Sequence, residues 1–234
     1  MKRTLDLSLL LAGLAALLLC GCATPNKMAL NATSSVVDTS KKSVLLLSLD
    51  VYRTDGSIFK PRPSTIFFEK PDAKQASDRQ NFLLESDATI ELATEKRTRY
   101  LASMALEPGP YKLESIYGLA SLFPFLAQFS VPLHMDYSVP PGAIVYIGRI
   151  TARLRPRTGS EFRAGPLLPL LDQAITGMSG GTFDVERVDA SAEDLAAFRS
   201  RYAVLKDARI ETVLLPEFDR AKVQRIWDGT DKSR

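Results

Sequence analysis

Short runs in which apolar and polar residues alternate dominate the chain from Ser43 onward. In the run SVLLLSLDVYR, from Ser43 to Arg53, every second position is apolar, and the positions between them include Ser48, Asp50 and Tyr52. Since side chains alternate between the two faces of a strand, this pattern predicts a strand with one buried and one solvated face. Further runs lie at 64–70, 81–86, 98–106, 111–118, 144–157 and 181–189. A chain of many short amphipathic strands buries their apolar sides by packing one sheet on another.

Turn residues and a change of period complete this prediction. Turns are expected where Pro108 precedes Gly109 and where Pro141 precedes Gly142, because Pro presets φ and Gly accepts a positive φ. A strand is predicted within 208–217, and helices are predicted after Ser191 and over 218–227. The first helix has an apolar stripe at Leu195, Phe198, Tyr202 and Leu205. The predicted fold class is mainly β, an antiparallel β-sandwich with one or two helices near the C-terminus.

The start of the first helix predicts a capping box. Ser191 stands three positions before Asp194, so its hydroxyl is expected to accept the Asp194 N–H, with Asp194 replacing the usual Glu. Glu193 and Asp194 then lie in the first turn, where carboxylates favour the helix dipole. This interpretation assigns the two acidic residues a structural role.

The first residues have the organisation of a secretory signal. Lys2 and Arg3 precede an apolar stretch from Leu7 to Leu19, and small residues follow. As a helix this stretch would span about 20 Å, short of the ~30 Å hydrocarbon core of a bilayer. We therefore expect a cleaved signal peptide and no permanent transmembrane anchor.

The sequence Leu19-Cys20-Gly21-Cys22 resembles the lipobox of bacterial lipoproteins. An aliphatic residue stands three positions before Cys22 and a small one directly before it, whereas Cys20 follows the large Leu19. The resemblance implies that Cys22 becomes the first mature residue and carries several acyl chains, which suffice for stable membrane attachment. The residue after Cys22 is Ala23 rather than Asp, and in this respect the sequence resembles lipoproteins sorted to the outer membrane. The expected location is the bacterial outer membrane, facing the periplasm, with the cell surface as an alternative.

Three segments follow from this cut. Residues 1–21 are expected to be the signal peptide, 22–40 the lipidated cysteine and a flexible tether, and 41–234 a single β-rich domain. The tether prediction rests on the small and polar composition of 23–40. The formal net charge of the whole chain is +3, which predicts no general affinity for nucleic acid. The chain has one histidine and two cysteines, so no metal site, cofactor or mature disulfide is expected.

Three blocks in the second half of the chain carry another resemblance. They are LEPGPYKLESI, VPPGAIVYIGRI and FDVERVDASAEDLAAFRSRY. Together they resemble uncharacterised bacterial lipoproteins with a transthyretin-like or carboxypeptidase-regulatory-like β-sandwich, over roughly 101–202. The resemblance implies an Ig-like or transthyretin-like sandwich and an envelope location. It transfers no catalytic residue, and a fold alone does not supply a function.

Two groups of side chains are candidates for chemistry. His134 and Asp136 lie two positions apart, which places them on one strand face, as a hydrolase would require, although no nucleophile motif accompanies them. Arg149, Arg153, Arg155 and Arg157 share the face opposite the apolar one in the run 144–157. Tyr146 is predicted on that apolar face with Ile150, Ala152 and Leu154. The arginines are candidates for contact with lipopolysaccharide phosphates, peptidoglycan carboxylates or an acidic envelope protein. Solvation of the sheet explains the arginine pattern equally well.

Two apolar segments, 118–129 and 165–181, are long for simple turns. Buried, they would cover an edge of the sandwich; exposed, they would suit a partner protein or a membrane.

The leading hypothesis is an outer-membrane lipoprotein that acts as a non-enzymatic binding or structural module of the envelope. The alternatives are an envelope hydrolase using His134 and Asp136, or an accessory subunit of a secretion or surface-assembly complex.

Overall fold

The computed structural model describes residues 25–84, 89–92, 97–167 and 174–230. The fold is mainly β, with two α-helices near the C-terminus, as predicted. The strands are β1 (Ser43–Arg53), β2 (Arg62–Glu69), β3 (Arg79–Leu83), β4 (Thr89–Leu92), β5 (Arg97–Leu106), β6 (Gly109–Leu122), β7 (Phe125–Val139), β8 (Ile144–Pro156), β9 (Gly181–Val188) and β10 (Glu211–Thr212). The helices are α1 (Ser191–Arg201) and α2 (Arg220–Trp227), with short 3-10 turns at Ala76–Asp78 and Ala203–Leu205.

The strands form two sheets that pack face to face. The first sheet has the antiparallel order β3-β2-β6-β7. In the second sheet the order is β10-β8-β1-β5-β4, and β9 pairs with β8 along the edge that β10 also uses. β1 runs parallel to β8 and antiparallel to β5. The predicted β-sandwich is therefore confirmed, although its second sheet is mixed rather than purely antiparallel.

The main core lies between the two sheets, where the apolar parity of each strand points inward. Leu45, Leu47 and Leu49 of β1 meet Leu113 and Ile116 of β6 in one buried cluster. Complete burial of such side chains stabilises the fold by about 1.5–3 kcal/mol each. The alternating pattern thus predicted which residues form this core.

β1 is buried on both faces, which differs from the half-solvated strand predicted for it. Val44 and Leu46, on the parity facing away from the main core, pack beneath α1 against Phe198 and Tyr202. Ser48 and Asp50 on the same face are buried as well. The amphipathic helix therefore forms a third layer, and the face that alternation assigned to solvent becomes a second core.

A bulge in β8 changes the face on which Tyr146 lies. The register between β1 and β8 shifts opposite Leu46 and Ser48, where Gly148 has a φ of 113°. This left-handed conformation suits glycine, and the extra residue reverses the parity of the strand. Tyr146 therefore lies under α1 in the second core, not with Ile150 in the main core as predicted.

The N-terminal segment that was predicted to be a flexible tether is partly built into the fold. Asn26 donates its N–H to Asn81 O at 2.6 Å, and Ala29 donates to Ser103 O at 2.7 Å. Met28 lies in the main core and Leu30 in the second core. The segment therefore joins the β3 edge of one sheet to the free edge of β5 in the other. Covering strand edges in this way removes N–H and C=O groups that could otherwise pair with a strand of another chain.

Gly118 provides a test of how closely the first sheet packs. A Cβ at this position would lie 2.2 Å from the Arg62 carbonyl oxygen and 2.5 Å from Cζ of Phe129. Gly118→Ala is expected to lower the free energy of unfolding by about 1–3 kcal/mol, because backbone must move to accept the methyl group. Chemical denaturation would measure the loss. Gly180→Ala is the control, since nothing lies within 4 Å of its added Cβ, and equal losses would contradict the packing.

Candidate functional site

The predicted arginine face of β8 exists, but carboxylates from other elements occupy it. Arg149 donates to both acidic residues of α1: its Nη2 contacts Glu193 Oε2 at 2.8 Å and Asp194 Oδ1, and its Nε lies 3.2 Å from Asp194 Oδ2. Tyr146 donates its hydroxyl to Asp194 at 2.6 Å. Burial, together with this contact to a carboxylate, raises the pKa of Tyr146 far above its usual range. Arg149 thus attaches α1 to the sheet.

The same cluster continues across the sheet to β1 and β5. Arg99 forms a forked pair with Asp50, at 2.9 Å and 3.0 Å, and also contacts Glu193 and Asp194. Arg99, Asp50 and Asp194 are buried, whereas the Glu193 side chain is largely exposed. Hydrogen bonds from Arg149 and Arg99 hold the pKa of Glu193 below its usual range. Buried charges require such pairing, because desolvation of an isolated charge is very costly.

This cluster replaces the predicted capping box. Ala190, not Ser191, precedes the first turn of α1, and the Asp194 N–H bonds the Ala190 carbonyl oxygen at 2.9 Å. Ala190 makes no side-chain capping bond, and the Ser191 N–H donates to Asp189 Oδ1 at 3.1 Å. The predicted bond is wrong because the N-cap is Ala190, one residue earlier, so the Asp194 N–H is used by the Ala190 carbonyl oxygen. The Asp194 carboxylate instead accepts hydrogen bonds from Arg149 and Tyr146.

The outer part of the arginine face is paired as well. Arg153 and Arg155 both bond Asp184 of the neighbouring strand β9, at 2.9 Å and 2.8 Å. Arg155 also makes a forked pair with Glu161, which accepts a further bond from Arg220 at 2.7 Å. The hydrogen bond from Arg155, with help from the Thr158 N–H and Arg220, holds the pKa of Glu161 far below its usual range. Cross-strand pairing accounts for this part of the face.

Arg157, the last of the four candidates, lies beyond the end of β8. Its Nη2 donates to the Gly159 carbonyl oxygen at 2.6 Å, within the loop that follows the strand. A shallow groove beside β8 is lined by basic and acidic residues together: Tyr52, Thr151, Arg153, Asp184, Val185 and Glu186. An anion entering this groove would meet Asp184 and Glu186 as well as Arg153.

His134 and Asp136 share a strand but have different partners. His134 Nδ1 lies 2.8 Å from Glu114 Oε1, across a bulge between β6 and β7 where His134 has a φ of 47°. Asp136 accepts from Lys222 Nζ of α2 at 2.8 Å, and the same Nζ donates to the His134 carbonyl oxygen at 2.9 Å. These contacts attach α2 to the edge strand β7. Neither residue lines the groove described above.

One end of the sandwich carries a group of exposed apolar side chains that sequence reasoning only partly identified. Segment 118–129 forms the end of the β6–β7 hairpin: Ala120, Ala127 and Phe129 are buried, while Phe123 at the turn is 97% exposed. In 165–181, Met178 is buried and Leu167 and Ile175 are exposed, and 168–173 lies outside the described residues. We define the apolar end as these exposed residues of the β6–β7 hairpin, the loop after β1 and the loop before β9: Ile58, Leu122, Phe123, Leu126 and Ile175.

The remaining expectations concern the anchor, metals and relatives. The signal peptide and Cys22 lie outside the described residues. Within the described ranges no helix is long and apolar enough to cross a bilayer, and no group of three or more His, Cys, Asp or Glu side chains could hold a metal ion. No protein-family model, curated protein or solved structure matches the chain.

Proposed function

We propose that this chain is a lipoprotein of the bacterial outer membrane, held by acyl chains on Cys22, whose β-sandwich serves as a binding or structural module at the membrane surface. It faces the periplasm in this proposal. The partner is the membrane itself, through the anchor and the domain surface next to it. Catalysis is not part of the proposed role.

The lipobox-like sequence before Cys22 supports the anchor, and the position at which the chain enters the fold is the observation that supports a module held at the membrane surface. Asn26 follows Cys22 by four residues and is already hydrogen-bonded to β3. Four residues span at most about 14 Å when fully extended. A lipid on Cys22 would therefore hold the sandwich directly above the headgroups, with a defined side of the domain toward the membrane. A long tether would have left this orientation free.

The anchor is tested by metabolic labelling of the full-length chain in a Gram-negative host. Labelled palmitate is expected on the unmodified protein and on Cys20→Ser, because Cys20 leaves with the signal peptide. Cys22→Ser is expected to abolish the label, because acyl transfer requires this thiol. Density-gradient separation of the two membranes should place the labelled protein in the outer membrane.

The two substitutions control for one another, since they remove the same chemical group two positions apart. Label lost from Cys20→Ser and kept on Cys22→Ser would contradict the assignment. Unlabelled, unmodified protein would contradict the lipoprotein proposal as a whole.

A further inference from the structure

We infer that the apolar end inserts into the phospholipid surface to which Cys22 is anchored, so that the domain contacts the membrane at two points. This inference rests on the proposed lipid anchor. Three features carry it: the exposure of the hairpin turn, the attachment of neighbouring loops to it, and the basic residues beside it.

The β6–β7 hairpin extends beyond the rest of its sheet. β2 accompanies β6 only as far as the pair Arg62–Leu119, whereas β6 and β7 stay paired to Leu122 and Phe125. Leu122, Phe123 and Leu126 are exposed around this projecting turn. A contiguous exposed apolar patch on a folded domain is typical of an interaction site. A narrow projecting hairpin can penetrate an interface more easily than a flat sheet.

Two further loops are fixed beside the hairpin. Phe59 packs edge-on against Phe125, with 5.8 Å between ring centroids, and the adjacent Ile58 is 67% exposed. Arg53 Nη1 donates to the carbonyl oxygens of Phe59 at 3.1 Å and Thr176 at 2.7 Å, which joins the loop after β1 to the loop before β9. These contacts place the side chains of the apolar end on one preformed surface.

The charges next to this surface suit anionic headgroups. Lys60 and Arg62 are exposed, and neither forms an ion pair with another described side chain. Asp55, the carboxylate of the same loop, is neutralised by a forked pair with Arg53. Basic side chains flanking an inserted apolar group add electrostatic attraction to anionic lipids. The occupant favoured by this combination is a phospholipid surface.

The anchor and the apolar end can reach one membrane together. Asn26 pairs with Phe82 of β3, Phe82 pairs with Ile66 of β2, and Ile66 pairs with Ile116 of β6. Asn26 is therefore level with Ile116 in the sheet, and Leu122 is six residues further along β6. Six strand residues span about 20 Å, whereas the chain from Cys22 to Asn26 spans at most about 14 Å. Both contacts therefore form when the strands incline by roughly 45° or more from the membrane normal.

The experiment uses the lipidated full chain, purified and reconstituted into vesicles of phosphatidylethanolamine and phosphatidylglycerol. Trp227, the single tryptophan of the chain, is first replaced by Trp227→Phe, and Phe123→Trp then introduces one probe at the hairpin turn. We expect a blue shift of its emission and quenching by lipids brominated on their acyl chains. Val213→Trp is the matched control, because Val213 is partly exposed beside β10 and lies near Tyr137 of β7, at the end of the sandwich away from the hairpin turn. Its emission should be unchanged.

Several results would overturn the inference. One is a probe at position 123 that stays unquenched in protein whose palmitate label is intact, which would leave the anchor proposal standing. A blue shift of the probe's emission in native envelopes but not in pure lipid vesicles would assign the apolar end to a protein partner. A blue shift that depends on protein concentration would assign the apolar end to a second copy of the chain. Absence of the palmitate label with a quenched probe would overturn the anchor and the two-point contact, and leave only the insertion of the apolar end.

A charge-reversal variant tests the basic flank separately. Lys60→Glu combined with Arg62→Glu should reduce quenching of the position 123 probe in vesicles containing phosphatidylglycerol and change it little in vesicles of phosphatidylcholine alone. If the probe is quenched equally with and without the charge reversal, in both kinds of vesicle, the electrostatic part of the inference is removed.

Discussion

Asp194→Ala is expected to lower the free energy of unfolding by about 3–5 kcal/mol, because it removes the one fully buried carboxylate that Arg99 and Arg149 share and leaves Arg149 with only the exposed Glu193 as its ion-pair partner among the described residues. The Asp194 side chain is completely buried and contacts Arg149, Arg99 and Tyr146. Removing it also leaves the Tyr146 hydroxyl without its acceptor. Equilibrium denaturation followed by circular dichroism would measure the change.

Glu193→Ala is the matched control for this prediction. Glu193 neighbours Asp194 in the same helical turn and contacts the same two arginines, but its side chain is 60% exposed. Exposed pairs contribute about 0–1 kcal/mol, since water screens them and replaces the lost partner. Similar losses for both variants would contradict the distinction between the buried and exposed members of the cluster.

Leu30→Ala is expected to lower the free energy of unfolding by about 2–5 kcal/mol, through lost burial and the cavity left behind. Leu30 is 1% exposed and packs in the second core with Phe198 and Tyr202. The same substitution in a free tether would have no effect. Thermal or chemical denaturation of the full chain distinguishes the two cases.

Val36→Ala is the control on the same segment. Val36 is 75% exposed, so its truncation is expected to change stability by no more than about 0.5 kcal/mol. If Leu30→Ala is equally neutral, then 26–30 does not pack against the sheets as described. A loss confined to Leu30→Ala would support the short spacer on which the anchoring argument depends.

The sequence predicted most strands, their turns and the main core, because each of these depends on local patterns. Alternation assigned Leu45, Leu47 and Leu49 to one face of β1, and the structure confirms that face as core. Of the stripe predicted for the first helix, Phe198, Tyr202 and Leu205 are buried and Leu195 is partly buried, although α1 ends at Arg201 and Leu205 lies in the following 3-10 turn. Periodicity predicts which residues share a face of a strand or helix, and the prediction is correct wherever the element is regular.

Predictions failed where regularity failed or where another element covered a polar face. Tyr146 was assigned to the wrong face because Gly148 allows a bulge that reverses parity within β8. Asp194 was interpreted as a cap because a helix N-terminus explains an acidic residue locally. Its actual partners, Tyr146 and Arg149, are more than forty residues away in the sequence.

The candidate site shows the same division. Arginines on one strand face were predicted from spacing, and Arg149, Arg153 and Arg155 do share that face. Their partners Asp184, Glu161 and Asp194 come from β9, the loop between β8 and β9, and α1. Because charge pairing between distant elements has no sequence period, the arginine face could be identified while its neutralisation could not.

By itself, the sequence determined that this chain forms a β-sandwich with C-terminal helices, and it predicted a lipid anchor at Cys22. Tertiary structure decided which charged groups are free, which apolar groups are exposed and where the N-terminal segment enters the fold. The physical reason is that burial depends on the element lying opposite a side chain. Phe123 and Phe129 belong to one apolar run, yet one projects into solvent and the other is fully buried, because only the second has a sheet facing it.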